Sequence, residues 1–359
     1  MRKWILIGLF LPVGLNAQVD SLDIKIGQMI IMGLDDFTRL DKREPMFDYI
    51  RKGYLGNVIV YGKHLDKKRP EKSLQEITSY IQEIAPIPVF IGIDEEGGKV
   101  NRLKPVYGFP KTVSAQYLGT IDNEDSTRFY ARSTALTLKN LGINMNFAPD
   151  VDLMVNPTNP VIVKAERSYS ADMKAVTKHA QYVVDEQGKH GIINVLKHFP
   201  GHGSSTSDTH FGVADVSKLW KIEELYPYKA MIENGQVQAI MTAHIVNDRL
   251  DLNRLPATLS KQIVTGLLRD FFHYNGLIIS DDMQMQAVSK HYGFEEAIAL
   301  SINAGVDMIM YANNTKTSNQ VSLKEIHGYI KSQVLNGTIP IERINESYAR
   351  IMKLKQQLK

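Results

Sequence analysis

The chain has 359 residues, of which 43% are hydrophobic and 23% charged, an ordinary balance for a globular protein. A formal charge of +3 without a long Lys/Arg cluster gives no footing for nucleic-acid binding, and the absence of cysteine excludes disulfides and thiolate chemistry. A chain of this length buries enough surface to fold without such staples, as two domains or as one α/β barrel.

In chain order, residues 1–17 read as a signal peptide. Arg2 and Lys3 form a positive start, Trp4 to Leu15 is apolar, and Leu15-Asn16-Ala17 offers a small residue for cleavage. The run is short for a membrane span and contains Pro12 and Gly14. No cysteine follows for lipid attachment. The expectation is an exported, periplasmic protein cleaved near Ala17, with 18–359 as one domain and no remaining membrane span.

About eight short apolar runs follow, near Gln28–Gly33, Asn57–Tyr61, Pro88–Ile93, Asn144–Ala148, Ile192–Leu196, Ala239–Thr242, Leu277–Ser280 and Asp307–Met310. Runs of this kind suit parallel strands buried on both faces. Helical spacing lies between them, over Ser73–Ile84, Ser126–Leu141, Asp172–His190, Ile222–Asn234, Ser260–Phe272 and Phe294–Ala304. Gly142, Gly188, Gly235 and Gly305 stand near helix ends. Eight strand–helix alternations predict a (β/α)8 TIM barrel, with a doubly wound sheet as the competing architecture. The segment Ser322–Lys359 is expected to be helical and to pack on the outside.

Barrel enzymes place their chemistry at the C-terminal ends of the strands. Here the third run ends in Asp94-Glu95-Glu96-Gly97-Gly98, the fourth leads to Asp150 and Asp152, and the fifth to Lys197 and His198. His244 follows the sixth, Asp281 and Asp282 the seventh, and Tyr311 and Asn313 the eighth. Polar groups at so many strand ends would converge on one mouth.

A carboxylate fixed at a strand end, as at Asp281, can serve as a nucleophile; it can equally cap the next helix, a role that suits Asp282 better. The segment from Lys197 to His210 holds a lysine, three histidines and an aspartate in a Gly/Ser/Thr-rich setting. In it, Asp208 can tune and orient His210 for proton transfer. A metal site built from His198, His202, Asp208 and His210 is the alternative, although Pro200 and Gly201 break the helix that a close histidine pair usually needs. Lys197 and His198 would face bound hydroxyls, Asp94 could accept from two of them, and Arg102 could donate to the same ligand. Gly97 and Gly98 suit a tight turn or close approach to a ligand. Arg167, taken alone, reads as a solvated charge.

Taken together, Gly92-Ile-Asp-Glu-Glu-Gly-Gly-Lys-Val-Asn-Arg, Asn146-Phe-Ala-Pro-Asp-Val-Asp, Lys197-His-Phe-Pro-Gly-His-Gly with Asp208-Thr-His, and Gly276-Leu-Ile-Ile-Ser-Asp-Asp-Met-Gln-Met resemble glycoside hydrolase family 3. The resemblance covers nearly all of 18–359. It is to the single-domain β-N-acetylglucosaminidase branch that uses a His–Asp dyad as acid/base. It implies a retaining exo-hydrolysis of terminal β-linked GlcNAc from peptidoglycan fragments or chito-oligosaccharides. Asp281 would be the nucleophile, His210 the acid/base and Asp208 its tuning partner. Asp94, Arg102, Arg167, Lys197 and His198 would hold the sugar.

The resemblance implies neither metal nor organic cofactor, and the expected state is a monomer. Glu95 stands where the family commonly has glutamine, adding a negative charge near the pocket. Thr209 replaces a usual serine, and Lys164-Ala-Glu lacks a glycine often found before Arg167. Three other readings stay open: a phosphorylase using phosphate in place of water, a metal-dependent barrel hydrolase, and a silent sugar-binding protein. Chitinase-like substrate assistance is disfavoured because the D-x-x-D-x-D-x-E motif is missing.

Overall fold

The computed structural model describes residues 21–34, 38–209, 212–314 and 320–358. Eight parallel strands close a barrel: β1 (Ile30–Gly33), β2 (Asn57–Val60), β3 (Phe90–Ile93), β4 (Met145–Asn146), β5 (Ile193–Phe199), β6 (Ala239–Thr242), β7 (Leu277–Asp282) and β8 (Met308–Tyr311). Neighbours in sequence are neighbours in the sheet, and β8 pairs with β1 through Ile30 opposite Ile309. The doubly wound alternative is therefore excluded.

The strands are near-continuous apolar runs because both faces are covered, the outer by helices and the inner by the barrel's own side chains. Every residue of β1, β2, β3, β6 and β8 is buried. In β7 only Asp281 is partly exposed.

The helices form for local reasons. Pro70 opens Pro70–Ile84, where its missing N–H costs nothing. Asn123 caps Glu124–Asn140 by accepting from the Ser126 amide. Gly305 ends Phe294–Ala304 with φ 113°, a conformation that favours glycine, and a Cβ there would meet Thr265 Oγ1 at 2.8 Å.

Three helical expectations need revision. Ile222–Asn234 divides into a 3₁₀ turn, Ile222–Leu225, and an α-helix, Tyr226–Glu233, with Pro227 in its first turn. The segment predicted over Ser260–Phe272 forms a wide π-type helix, Gln262–Phe271. Ser322–Lys359 is two helices, Leu323–Leu335 and Ile341–Lys355, separated by Gly337 at φ 80° and by Pro340. Nor does that segment stay wholly outside. Lys355 is buried under the N-terminal end of the barrel, where its Nζ donates to Gln28 Oε1 at 2.6 Å and to the Gly56 carbonyl at 2.8 Å.

Candidate active site

At the C-terminal mouth, a cavity of about 200 Å³ is walled by residues from five strand ends and the loops that follow them. Asp94, Arg102, Arg167, Lys197, His198 and Asp281 all line it. Lys197 and His198 are adjacent in β5, and successive strand residues normally face opposite ways. The β5–β6 register shifts between Leu196 and Phe199, an irregularity that accompanies both side chains reaching the cavity.

A chain of buried charges runs around the wall. Lys197 Nζ lies 2.9 Å from Asp94 Oδ1 and 2.6 Å from Glu96 Oε1. Arg167 grips Glu96 with two bonds, Nε to Oε2 at 2.9 Å and Nη2 to Oε1 at 2.8 Å. Arg102 Nη2 lies 3.2 Å from the second Asp94 oxygen. Burial alone would raise the Asp94 carboxyl, but Lys197 and Arg102 outweigh it and hold it well below the usual range. Glu96 is likewise held down, against burial, by Arg167 and Lys197. Burial also opposes the Lys197 charge, and Asp94 with Glu96 more than restores it. Asp94 and Glu96 thus face the cavity as carboxylates, and Lys197 faces it as a cation.

His198 is fixed from both sides. Its Nδ1 lies 2.8 Å from Asp152 Oδ2, and its Nε2 lies 3.1 Å from Arg167 Nη2. Asp152 is held ionised, against burial, mainly by its bond to His198. A carboxylate only accepts and a guanidinium only donates, so these partners assign the proton to Nδ1 and the lone pair to Nε2. Asp150 differs: burial first and Asp152 second push its carboxyl well up, although Arg167 Nε stands 3.2 Å away. His202 borders the same cavity beside His198; burial first and His198 second push it down to about 4, so it is neutral at ordinary pH.

Asp281 and Asp282 both border the cavity but differ in their bonding. Asp281 faces the cavity, with Oδ1 accepting from the Asp282 amide at 2.8 Å. Asp282 Oδ1 accepts from the Gln284 and Ala312 amides, linking the β7 and β8 loops. It acts as a structural tie more than as a helix cap. Asp208 is half-buried on its loop and is not part of the cavity wall. His210 lies outside the described residues. Its chain neighbour Thr209 does line the cavity, and the Thr209 carbonyl accepts from the Ala287 amide at 3.1 Å.

Several expectations change. Glu95 adds no charge to the cavity, because its side chain turns into the protein, where Oε2 accepts from the Arg102 and Leu103 amides at 2.8 and 3.1 Å. Burial pushes its carboxyl up to about 7. Gly97 and Gly98 serve a turn packed on protein: a Cβ on Gly97 would meet the Val113 carbonyl at 2.4 Å. Arg167 is no solvated charge; it joins Glu96, Asp150 and His198. Where a glycine is missing before it, Glu166 takes φ 60°, the left-handed region. Sequence reasoning left Glu96 undecided and gave Asp150, Asp152 and Tyr61 no role; the Asp-x-Asp spacing after β4 was the available signal.

Of the four residues weighed as metal ligands, His210 lies outside the described residues, and His198 belongs to a different group. Among the described residues, the group able to hold an ion is Asp150, Asp152 and His198, with ligand atoms within 4.8 Å of one another. The Arg167 guanidinium already supplies positive charge to that space.

A closed parallel barrel with a charged cavity at its C-terminal mouth defines a TIM-barrel protein of the kind that builds its site from βα loops. The chain belongs to glycosyl hydrolase family 3, whose N-terminal domain matches residues 21–354. Beta-hexosaminidase A of Pseudoalteromonas piscicida is 33% identical over 298 residues, covering 77% of this chain and 49% of that protein. Beta-hexosaminidase LpqI of Mycobacterium tuberculosis is 29% identical over 355 residues, covering 96% and 85%. Among solved structures, a family 3 β-N-acetylglucosaminidase from Paenibacillus sp. superposes with a TM-score of 0.84 at 30% identity, over 94% of this chain and 62% of that one. The chain thus spans about half the length of the Pseudoalteromonas relative and under two thirds of the Paenibacillus structure.

Proposed function

We propose that the chain is a retaining exo-β-N-acetylglucosaminidase that removes terminal β-linked GlcNAc from peptidoglycan fragments or chito-oligosaccharides. The observation that carries this reading is the gathering of Asp281 with Asp94, Arg102, Arg167, Lys197 and His198 on one cavity. The hexosaminidase names of the relatives support the sugar.

In this reading an Asp281 oxygen attacks the anomeric carbon while the bond to the aglycone oxygen breaks, giving a glycosyl–aspartate ester. His210 gives its proton to the departing oxygen, with Asp208 setting its orientation. His210 then takes a proton from water as that water attacks the anomeric carbon and releases Asp281. Using an imidazole avoids a second anion beside Asp281. Asp94 accepts from sugar hydroxyls, while Lys197 and Arg102 donate. Asp152 and Glu96 hold His198 and Arg167 in place, so the wall is organised before the sugar arrives.

The proposal extends to location and state: an exported, periplasmic monomer, cleaved near Ala17. Those N-terminal residues lie outside the described set, and no described helix is long and apolar enough to cross a membrane.

A fluorinated GlcNAc donor that forms the ester and hydrolyses slowly tests the mechanism. Intact-mass and peptide analysis should find one sugar on Asp281; a label elsewhere, or none during turnover, overturns the reading. Running the hydrolysis with phosphate and finding sugar 1-phosphate would convert it to a phosphorolysis. His210→Ala should slow substrates with poor leaving groups far more than activated aryl glycosides, and equal losses on both count against His210 as the acid.

A further inference from the structure

The segment that leaves β5 toward Asp208 is buried from Gly201 to Ser205 and exposed at Thr206. Two neighbours in sequence hold its stem from behind. Trp220 Nε1 donates to the Pro200 carbonyl at 3.0 Å, and Glu224 Oε2 accepts from the Gly203 amide at 3.0 Å. Glu224 belongs to the 3₁₀ turn Ile222–Leu225, where its Oε1 accepts from the Lys221 amide at 3.4 Å. One carboxyl group therefore joins the turn to the stem. The approach is close: Gly201 takes φ 117°, and a Cβ there would meet Glu224 Cβ at 2.6 Å and Oε2 at 2.8 Å. The far end of the excursion is tied separately, by parallel pairing of Ala214–Asp215 with Ile245–Val246.

Glu224 is only 1% exposed. Burial pushes its carboxyl up to about 8, against the Ser204 hydroxyl and with Asp152 adding to the rise. An acid kept uncharged in the interior is a poor choice for stability, since an apolar side chain of similar size would bury more readily. What an apolar residue could not do is accept the Gly203 amide. One residue earlier, the His202 amide has its own tie to Asp152 at 2.7 Å. The wall around His198 is thus held independently, and Glu224 governs what lies beyond it.

We propose that Glu224 is a positioning residue for proton transfer: by holding the Gly203 amide, it fixes where the arm carrying Asp208 departs toward the cavity. This role rests on the glycosidase reading for what Asp208 does; the anchoring itself follows from the bonds.

Glu224→Met keeps the side chain's length and removes the acceptor, whereas Glu224→Gln keeps an uncharged acceptor. A buried amide left unpaired weakens what it holds by the equivalent of about 10- to 100-fold. With Met, kcat/KM on a GlcNAc disaccharide, whose poor leaving group needs the proton, should fall about 30-fold. On an activated aryl glycoside it should stay within about threefold, and Gln should recover the disaccharide rate to within about threefold of wild type. Hydrogen exchange over residues 200–209 should quicken about tenfold in the Met variant and stay unchanged in the Gln variant. Glu224→Leu, which also lacks the acceptor, replaces Met if that variant does not fold.

Equal losses on both substrates, no loss with Met, or Gln as slow as Met would overturn the positioning role. His210→Ala on the same substrates separates the two claims. If it shows no leaving-group dependence while exchange still quickens in Glu224→Met, the acid/base reading fails and the anchor stands. If His210→Ala behaves as loss of an acid and Glu224→Met does not follow it, the positioning role fails and the glycosidase reading stands.

Discussion

The two ends of the barrel both bury charge, and they do so differently. At the N-terminal end Asp307 is fully buried. Its Oδ1 accepts from Arg343 at 2.8 Å, Ser347 at 2.9 Å and Arg350 at 3.1 Å, while Oδ2 accepts from Arg269 and the Ile278 amide. That cluster spans β7, β8 and the last helix and encloses its carboxylate on every side. At the C-terminal mouth, Asp94, Glu96 and Lys197 are as tightly paired, but they border a cavity, and buried Asp150 beside Asp152 is driven toward its neutral form. Buried ion pairs therefore do not by themselves mark a site. Facing open space, with neighbours pulled to opposite protonation states, is what distinguishes the mouth.

Substitutions at the two ends should separate rate from stability. Asp281→Asn should cost about 10⁴-fold or more in kcat, as loss of a nucleophile does, while thermal unfolding barely moves. A variant retaining a tenth of the activity would remove Asp281 from the reaction. Asp307→Asn should do the reverse, lowering the unfolding free energy by about 3–5 kcal/mol because three arginines lose their shared anion. Denaturant titration reads the loss, and kcat/KM of the folded fraction should stay within about threefold. Glu96→Gln lies between these, with Lys197 and Arg167 loosened and kcat/KM down about 10²-fold through misplaced binding groups. Steady-state kinetics on an unactivated disaccharide checks this.

A pH experiment sharpens the contrast further. The folded Glu95 carboxyl sits near 7, above its ordinary value of 4.5. A raised acid favours the folded state below its unfolded value, and that contribution fades as pH climbs through the folded one. Stability relative to Glu95→Gln should therefore fall by about 2 kcal/mol between pH 4.5 and 7 and level off above, as measured by urea unfolding across that range. A flat difference would mean that Glu95 is ionised throughout. Smallest of all, Glu166→Gly should relieve the left-handed backbone and raise stability by about 0.5 kcal/mol, net of the exposed pair with Lys99. A shift of about 2 °C or less in the unfolding temperature is the expected readout.

Much of the barrel was legible in the sequence because its parallel strands are short apolar runs ending in polar residues. The predicted Ala239–Thr242 coincides with the observed strand, while Asn144–Ala148 contracts to Met145–Asn146, with an isolated bridge from Asp150 to Lys197 further on. Lys197, His198, Asp94 and Asp281 were visible as strand-end polar groups. Glu95 and Glu96 could not be told apart, since which one faces the cavity is decided by the turn through Gly97 and Gly98 and by the Arg102 and Leu103 amides waiting behind it. Arg167 was opaque for a related reason: its partners Glu96, Asp150 and His198 come from three other segments. The clasp around Asp307 escaped notice because its arginines lie 36 to 43 residues away in either direction.

Asn159 deserves a last look for what it means to anyone rebuilding this protein. Its buried amide donates to the His202 and Gly203 carbonyls at 2.8 and 3.0 Å, while its Oδ1 accepts from the Val161 and Ile162 amides at 2.9 Å. One side chain thus stitches the excursion that delivers Arg167 to the stretch that leads toward Asp208. A chimaera importing either excursion alone would break both bonds that cross between them, at the His202 and Gly203 carbonyls, so the pair must be transplanted as a single cassette.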